Sequence, residues 1–142
     1  MRSSIIITGA SVMLLLASSF LWSQEKSAPK HPVSKIITLD AKGADYMPIL
    51  TGPPETATMH SGLVTLKPGK NVGKHSTKNN EEIVIALSGH GEMRISGGDT
   101  LAFGKGEAVY CPARLEHDVY NTGSEDFQYV YVVARAVDGK SK

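Results

Sequence analysis

From residue 35 onward the apolar positions fall in short runs, and the clearest of them alternate with a period of two. In Phe127-Gln-Tyr-Val-Tyr-Val-Val-Ala-Arg-Ala136 the set Tyr129, Tyr131, Val133 and Arg135 interleaves with Val130, Val132 and Ala134, the signature of an extended strand whose neighbours point to opposite faces. Runs rich in Val, Ile, Thr and Tyr predict strands over residues 36–39, 56–66, 71–75, 82–87, 91–95, 100–103, 108–111, 117–121 and 127–136. Turn chemistry separates them: Lys67-Pro68-Gly69, Lys78-Asn79-Asn80, Ser88-Gly89, Ser96-Gly97-Gly98-Asp99, Gly104-Lys105-Gly106 and Asn121-Thr122-Gly123. No stretch sustains a 3.6-residue period, and the best helical signal is a single turn over residues 41–46. So many short strands in one small domain predict an all-β fold, a sandwich or a closed barrel.

The first 23 residues follow a different rule. Arg2 supplies a positive start, and Ile5 to Trp22 is apolar or small around Met13-Leu14-Leu15-Leu16-Ala17, the layout of a secretory signal peptide. Cleavage after Ser19 or after Ser23 fits equally well. A retained membrane anchor is the alternative, weakened by Gly9 and the serines. Residues 24–34, with Pro29, Pro32, lysines and serines, read as a solvated linker that carries His31. Residues 35–142 form the domain. Export places the mature protein in the periplasm or outside the cell, with no stable membrane span after cleavage.

Composition narrows the chemistry. The 142 residues and a 41% hydrophobic content suffice for one core. The single cysteine, Cys111, allows no intramolecular disulfide, so packing alone must hold the fold. Removal of Arg2 with the leader brings Lys+Arg to 14, equal to the 14 Asp+Glu, and that balance leaves no basic footprint for nucleic acid.

Two segments carry the candidate chemistry. In Gly69-Lys-Asn-Val-Gly-Lys-His75-Ser-Thr77-Lys-Asn-Asn-Glu81-Glu82, alternation puts His75 and Thr77 on one face, and the turn at Lys78 to Asn80 returns Glu82 beside His75. Alternation also groups Glu82 with Val84 and Ala86, whereas Glu81 falls with Ile83, Ile85 and Leu87 and reads as a rim charge. In Gly106-Glu-Ala-Val-Tyr-Cys-Pro112-Ala-Arg114-Leu-Glu-His117, a strand ends at Pro112 and a turn leads to His117, whose ring nitrogens need partners if buried.

These spacings resemble the two motifs of the cupin family, G-x5-H-x-H-x(3,4)-E-x6-G and G-x5-P-x-G-x2-H-x3-N. Gly69, His75, Glu82 and Gly89 match the first, and Gly106, Pro112, His117 and Asn121 match the second. Only Glu82, not Glu81, leaves six residues before Gly89. Thr77 stands where the first motif has its second histidine, and Arg114 where the second has its glycine. The resemblance covers about residues 36–137 and implies a single double-stranded β-helix, a jelly-roll barrel. It further implies one divalent transition metal on His75, Glu82 and His117. Two imidazoles and a carboxylate favour Fe(II), and Mn, Ni, Cu or Zn also suit such donors.

The function this resemblance implies is a mononuclear metalloenzyme, dioxygenase-like, acting on a small chelating substrate. The alternative is a non-catalytic periplasmic module that binds or senses a small molecule. His60 is the candidate catalytic acid or base if it faces the cavity, against a partly exposed strand histidine. His90, between two glycines, is read as solvent-facing. Cys111 is read as a buried filler rather than a nucleophile, and Met47, Met59 and Met93 as packing residues. One face of residues 127–136 lines the pocket, and the pattern does not say which. Pairing through edge strands predicts a homodimer.

Overall fold

A computed structural model describes residues 32–136. The leader expected over residues 1–23 and its expected cleavage site, His31 and most of the expected linker lie outside the described residues. Nine strands follow in chain order: β1 (Tyr46–Thr51), β2 (His60–Leu66), β3 (His75–Ser76), β4 (Asn80–Ser88), β5 (His90–Ile95), β6 (Thr100–Gly104), β7 (Ala108–Cys111), β8 (Glu116–Asn121) and β9 (Phe127–Arg135). They form two antiparallel sheets, β1-β2-β9-β4-β7 and β3-β8-β5-β6. The inner faces of the two sheets enclose the core, which makes the fold an all-β jelly roll. Among the described residues there is no helix, and none long and apolar enough to cross a membrane.

The alternation that predicts the strands also fills the interior. Val84 and Ala86 of β4, Met93 of β5, Phe103 of β6, Val109 and Cys111 of β7, Val119 of β8 and Phe127 and Tyr129 of β9 form one buried cluster. Phe127 stands edge-on to Phe103 with ring centroids 5.3 Å apart and meets Tyr129 at the same separation, geometry that adds to simple area burial. Asn121 closes this apolar end. Its amide donates to the carbonyls of Leu66 (2.8 Å) and Glu125 (2.7 Å) and its oxygen accepts from the Gly123 N–H (2.8 Å), so a buried polar group is fully satisfied. Gly89 turns the chain at φ 71°, and a Cβ there would stand 2.6 Å from the Asp126 carbonyl; no other residue fits.

Several expectations are corrected. Residues 36–39 form no strand; Ile36 is 98% exposed, an apolar side chain with no sheet beside it. The helical turn over 41–46 is instead a turn at Lys42 and Gly43, closed by the Ala44 N–H on the Ala41 carbonyl, that leads into β1. Strand β1 is missed by pattern because Pro48 interrupts it, and Pro48 sits where the register with β2 shifts, on the edge of the sheet, where a missing N–H is tolerated. The strand expected over 56–66 begins only at His60, since the Thr56 hydroxyl bonds back to the Met59 carbonyl and holds a loop. In that loop Met59 is exposed rather than packed, while Met93 is buried and Met47 half-buried.

Candidate metal centre

Three inward-facing strand positions converge at the end of the barrel opposite Phe127. β3 pairs with β8 so that His75 stands directly opposite His117, and their ring centroids are 4.5 Å apart. Glu82 lies one strand step outward from Val84 on β4 and pairs in register with Cys111 and Val133. The donor atoms of His75, Glu82 and His117 all lie within 4.8 Å of one another. Thus the alternation that puts Val84 and Val119 into the core carries Glu82 and His117 onto the same inner face, two residues nearer the mouth.

Each donor is held by its surroundings. The Nδ1 of His75 lies 2.8 Å from the Gly73 carbonyl; a proton there donates to that oxygen and leaves Nε2 as a free lone pair. His117 is 0% exposed and Glu82 6% exposed, and His117 Nε2 sits 3.0 Å from Glu82 Oε2. On the other side of the ring, Nδ1 faces Cys111 Sγ at 3.2 Å and the Leu115 carbonyl at 3.3 Å. When Nε2 carries the proton it donates to Glu82, and Nδ1 accepts from the Cys111 thiol. When Nδ1 carries it, the Leu115 carbonyl accepts and Nε2 is free to ligate.

The Glu82 hydrogen bond raises the His117 pKa above its ordinary value, and burial works against it. Burial, with the Glu82 charge beside it, pushes the Cys111 thiol up, which keeps the sulfur neutral and suits a filler rather than a nucleophile.

The donor set fits a transition ion. Two donors about 2.1 Å from one ion at a right angle stand about 3.0 Å apart, the separation found between His117 Nε2 and Glu82 Oε2. His75, Thr77 and Glu82 line a cavity of about 420 Å³, and His117 is buried beside Glu82. Thr77 faces this cavity, but its hydroxyl donates to the Asn80 carbonyl at 2.8 Å, closing the β3 to β4 turn.

The remaining candidates separate clearly. Glu81 points to the outer face, where it accepts a hydrogen bond from the Tyr110 hydroxyl at 2.9 Å. His60 is exposed and packs over Gly52; it pairs with Val133 and so shares the face of that wall residue, but it is not itself among the residues that line the cavity. His90 is exposed in its hairpin. The face of β9 that lines the pocket is Tyr129, Tyr131 and Val133.

Tyr46, whose hydroxyl lies 3.0 Å from that of Tyr131 at the mouth, has no sequence signal of its own. Only the long-range pairing of β1 with β2, and of β2 with β9, brings it there.

Arg114, at the motif's glycine position, keeps the left-handed conformation of a glycine, with φ 71°. Its N–H donates to the Lys78 carbonyl at 2.6 Å and its Nε to Asn79 Oδ1 at 3.1 Å. The two turns that flank the site are thereby tied together.

Solved structures similar to this one share the architecture. A Cupin 2 conserved barrel domain protein from Salinispora arenicola matches with a TM-score of 0.59 and 26% identity over 73% of this chain and 91% of its own. A protein of Thermus thermophilus matches at 0.57 and 21% identity, covering 70% of this chain and 90% of its own. A Thermotoga maritima protein described as a predicted oxalate decarboxylase matches at 0.53 and 17%, covering 70% and 100%. No curated protein matches the sequence. The cupin domain model spans residues 62–133, slightly more than half the chain and every residue of the two motif turns, and the protein therefore belongs to the cupin family.

Proposed function

We propose that the barrel holds one divalent transition ion on His75 Nε2, the Glu82 carboxylate and His117 Nε2, and that it acts on a small chelating substrate as a mononuclear metalloenzyme of the dioxygenase type. The observation that carries this reading is the convergence of two imidazoles and one buried carboxylate, two of the three groups lining an open cavity. That donor set favours Fe(II), with Mn, Ni, Cu or Zn as further occupants. When bound, the ion supplies Lewis acidity and, as iron, the capacity to activate dioxygen.

The chain's own residues do the rest. The Gly73 and Leu115 carbonyls fix the two imidazole rings, the valine walls exclude water, and the position at Thr77, occupied by a histidine in the full motif, leaves coordination space for substrate. The Tyr46 and Tyr131 hydroxyls bound the entrance, and whichever of them does not donate to the other can hold a proton toward a ligand oxygen.

We also infer that the mature protein works outside the cytoplasm, on the strength of the leader pattern in residues 1–23. Oxygen uptake with a chelating phenol or diketone, dependent on iron and lost in Glu82→Gln, is the result expected of an enzyme. Tight ligand binding that survives removal of the metal, without oxygen uptake, would make the protein a periplasmic binding module instead.

A further inference from the structure

The cavity over the metal centre has a charge character that selects among chelators. Its walls are Val64, Val72, Val119 and Val133 with Tyr129 and Tyr131, and Tyr46 at the rim. Among the described residues that line it there is no lysine, arginine, asparagine or glutamine. The cations nearby in sequence face elsewhere. Lys74 and Arg94 flank Asp118 in a recess on the outer face of the β3-β8-β5-β6 sheet, and Arg94 lies over the Tyr120 ring at 3.7 Å. Arg135, which would continue the pocket face of β9, opens instead on a surface recess with Asn79 and Arg114.

The mouth adds hydrogen bonding without charge. One of the paired hydroxyls of Tyr46 and Tyr131 donates to the other, so one O–H is left for a ligand. Burial and the bond to Tyr46 raise the Tyr131 pKa well above that of a free phenol, and burial does the same for Tyr129. Both rings stay neutral.

From these observations we propose that the site selects a bidentate oxygen chelator with an apolar body and a single negative charge. It turns away small dianions such as dicarboxylates. This rests on the metal reading above. Two neutral imidazoles and one carboxylate leave a divalent ion with one net positive charge, and a monoanionic chelator closes the balance to zero. A dianion leaves one uncompensated negative charge between valine walls, with no cation in the lining to meet it. The four valines suit the hydrocarbon part of such a ligand, and the free phenol proton meets its outer oxygen. A cavity of about 420 Å³ is at the small end for organic ligands, matching a single ring rather than an extended chain.

The test loads the full domain with one equivalent of Co(II), confirms occupancy by metal analysis, and titrates tropolone and oxalate at fixed pH, reading visible absorption and heat. The same two titrations on aqueous Co(II) give the reference ratio. The protein's preference for tropolone over oxalate should exceed that reference by about tenfold or more. Tyr131→Phe should weaken tropolone several-fold, and Val72→Arg, at a wall position that is 41% exposed and so tolerant of replacement, should shift the preference toward oxalate.

A loaded protein whose ratio equals the aqueous one overturns the inference and leaves the metal reading standing. So does a ratio unmoved by Val72→Arg. A protein that takes up no Co(II) overturns the metal reading, and this inference with it.

Discussion

Arg114 occupies a left-handed backbone position that the family pattern gives to glycine, and its replacement separates backbone strain from side-chain bonding. At φ 71° a residue with a Cβ costs about 1 kcal/mol relative to glycine. The guanidinium bond to Asn79 Oδ1 at 3.1 Å is exposed and is worth about 0.5–1 kcal/mol. Arg114→Ala loses the bond and keeps the strain, so the domain should lose about 0.5–1 kcal/mol. Arg114→Gly loses the same bond but relieves the strain, and its more flexible unfolded chain takes back part of that gain. It should therefore fall near wild type, within about 0.5 kcal/mol, and above Arg114→Ala by about 0.5 kcal/mol.

The gap corresponds to about 2–4 °C in Tm for a domain of this size. Both variants keep the N–H that bonds to the Lys78 carbonyl, so the turn itself persists. The assay is urea denaturation of metal-free protein, with chelator present so that metal linkage does not mask the difference. An Asn79→Ala background provides the control, because there the wild-type arginine has nothing left to lose at Nε. Refutation would be Arg114→Ala equal to or more stable than Arg114→Gly with unchanged m-values, since strain at this position would then be absent.

Other consequences can be checked singly. Phe127→Ala removes a fully buried ring from the centre of the core and should cost about 3–5 kcal/mol by denaturant titration; a loss below 1 kcal/mol would contradict the packing described. Glu55 accepts bonds from Lys35 and from the Thr51 N–H and hydroxyl, which hold its pKa down to about 2 from 4.5. Because the folded value is the lower one, the stabilisation is complete above 4.5 and disappears as pH falls through about 2. NMR titration of the Glu55 carboxyl reads this directly, and an ordinary midpoint would show that the loop contact does not exist in solution. His117→Ala strands the buried Glu82 carboxylate without its partner and should destabilise the metal-free fold by about 3 kcal/mol or more, whereas His75→Ala, at an exposed position, should leave Tm nearly unchanged.

That contrast arises because the site is not separate from the apolar core. His117 is itself part of the buried interior. Elsewhere the local pattern carried far. Period-two alternation distinguishes Glu82 from Glu81, and the turn residues between strands locate β4 through β9 to within a few positions, because each strand has one face in the core and one outside.

What failed depends on distant pairing. Residues 36–39 look like a strand by composition but meet no partner, and β1 hides behind Pro48 because an edge strand tolerates a residue that a central strand does not. Tyr46 enters the pocket only through two successive strand pairings, and neither leaves a local trace. Likewise, alternation divides β9 into two faces but gives no phase; the register with β2 and β4 decides that Tyr131 faces in.

The central claim is that His75, Glu82 and His117 form one metal site, and its most direct test is metal analysis of protein purified without added metal, comparing wild type with His75→Ala and Glu82→Gln. Both variants conserve the fold, the first by exposure and the second by shape. The account predicts close to one equivalent of a divalent transition metal in the wild type, with affinity lowered at least about a hundredfold in each variant. A wild-type site that is empty and also refuses added Fe, Mn, Ni, Cu and Zn would contradict it, and the cavity would then have to be explained as a metal-free binding pocket.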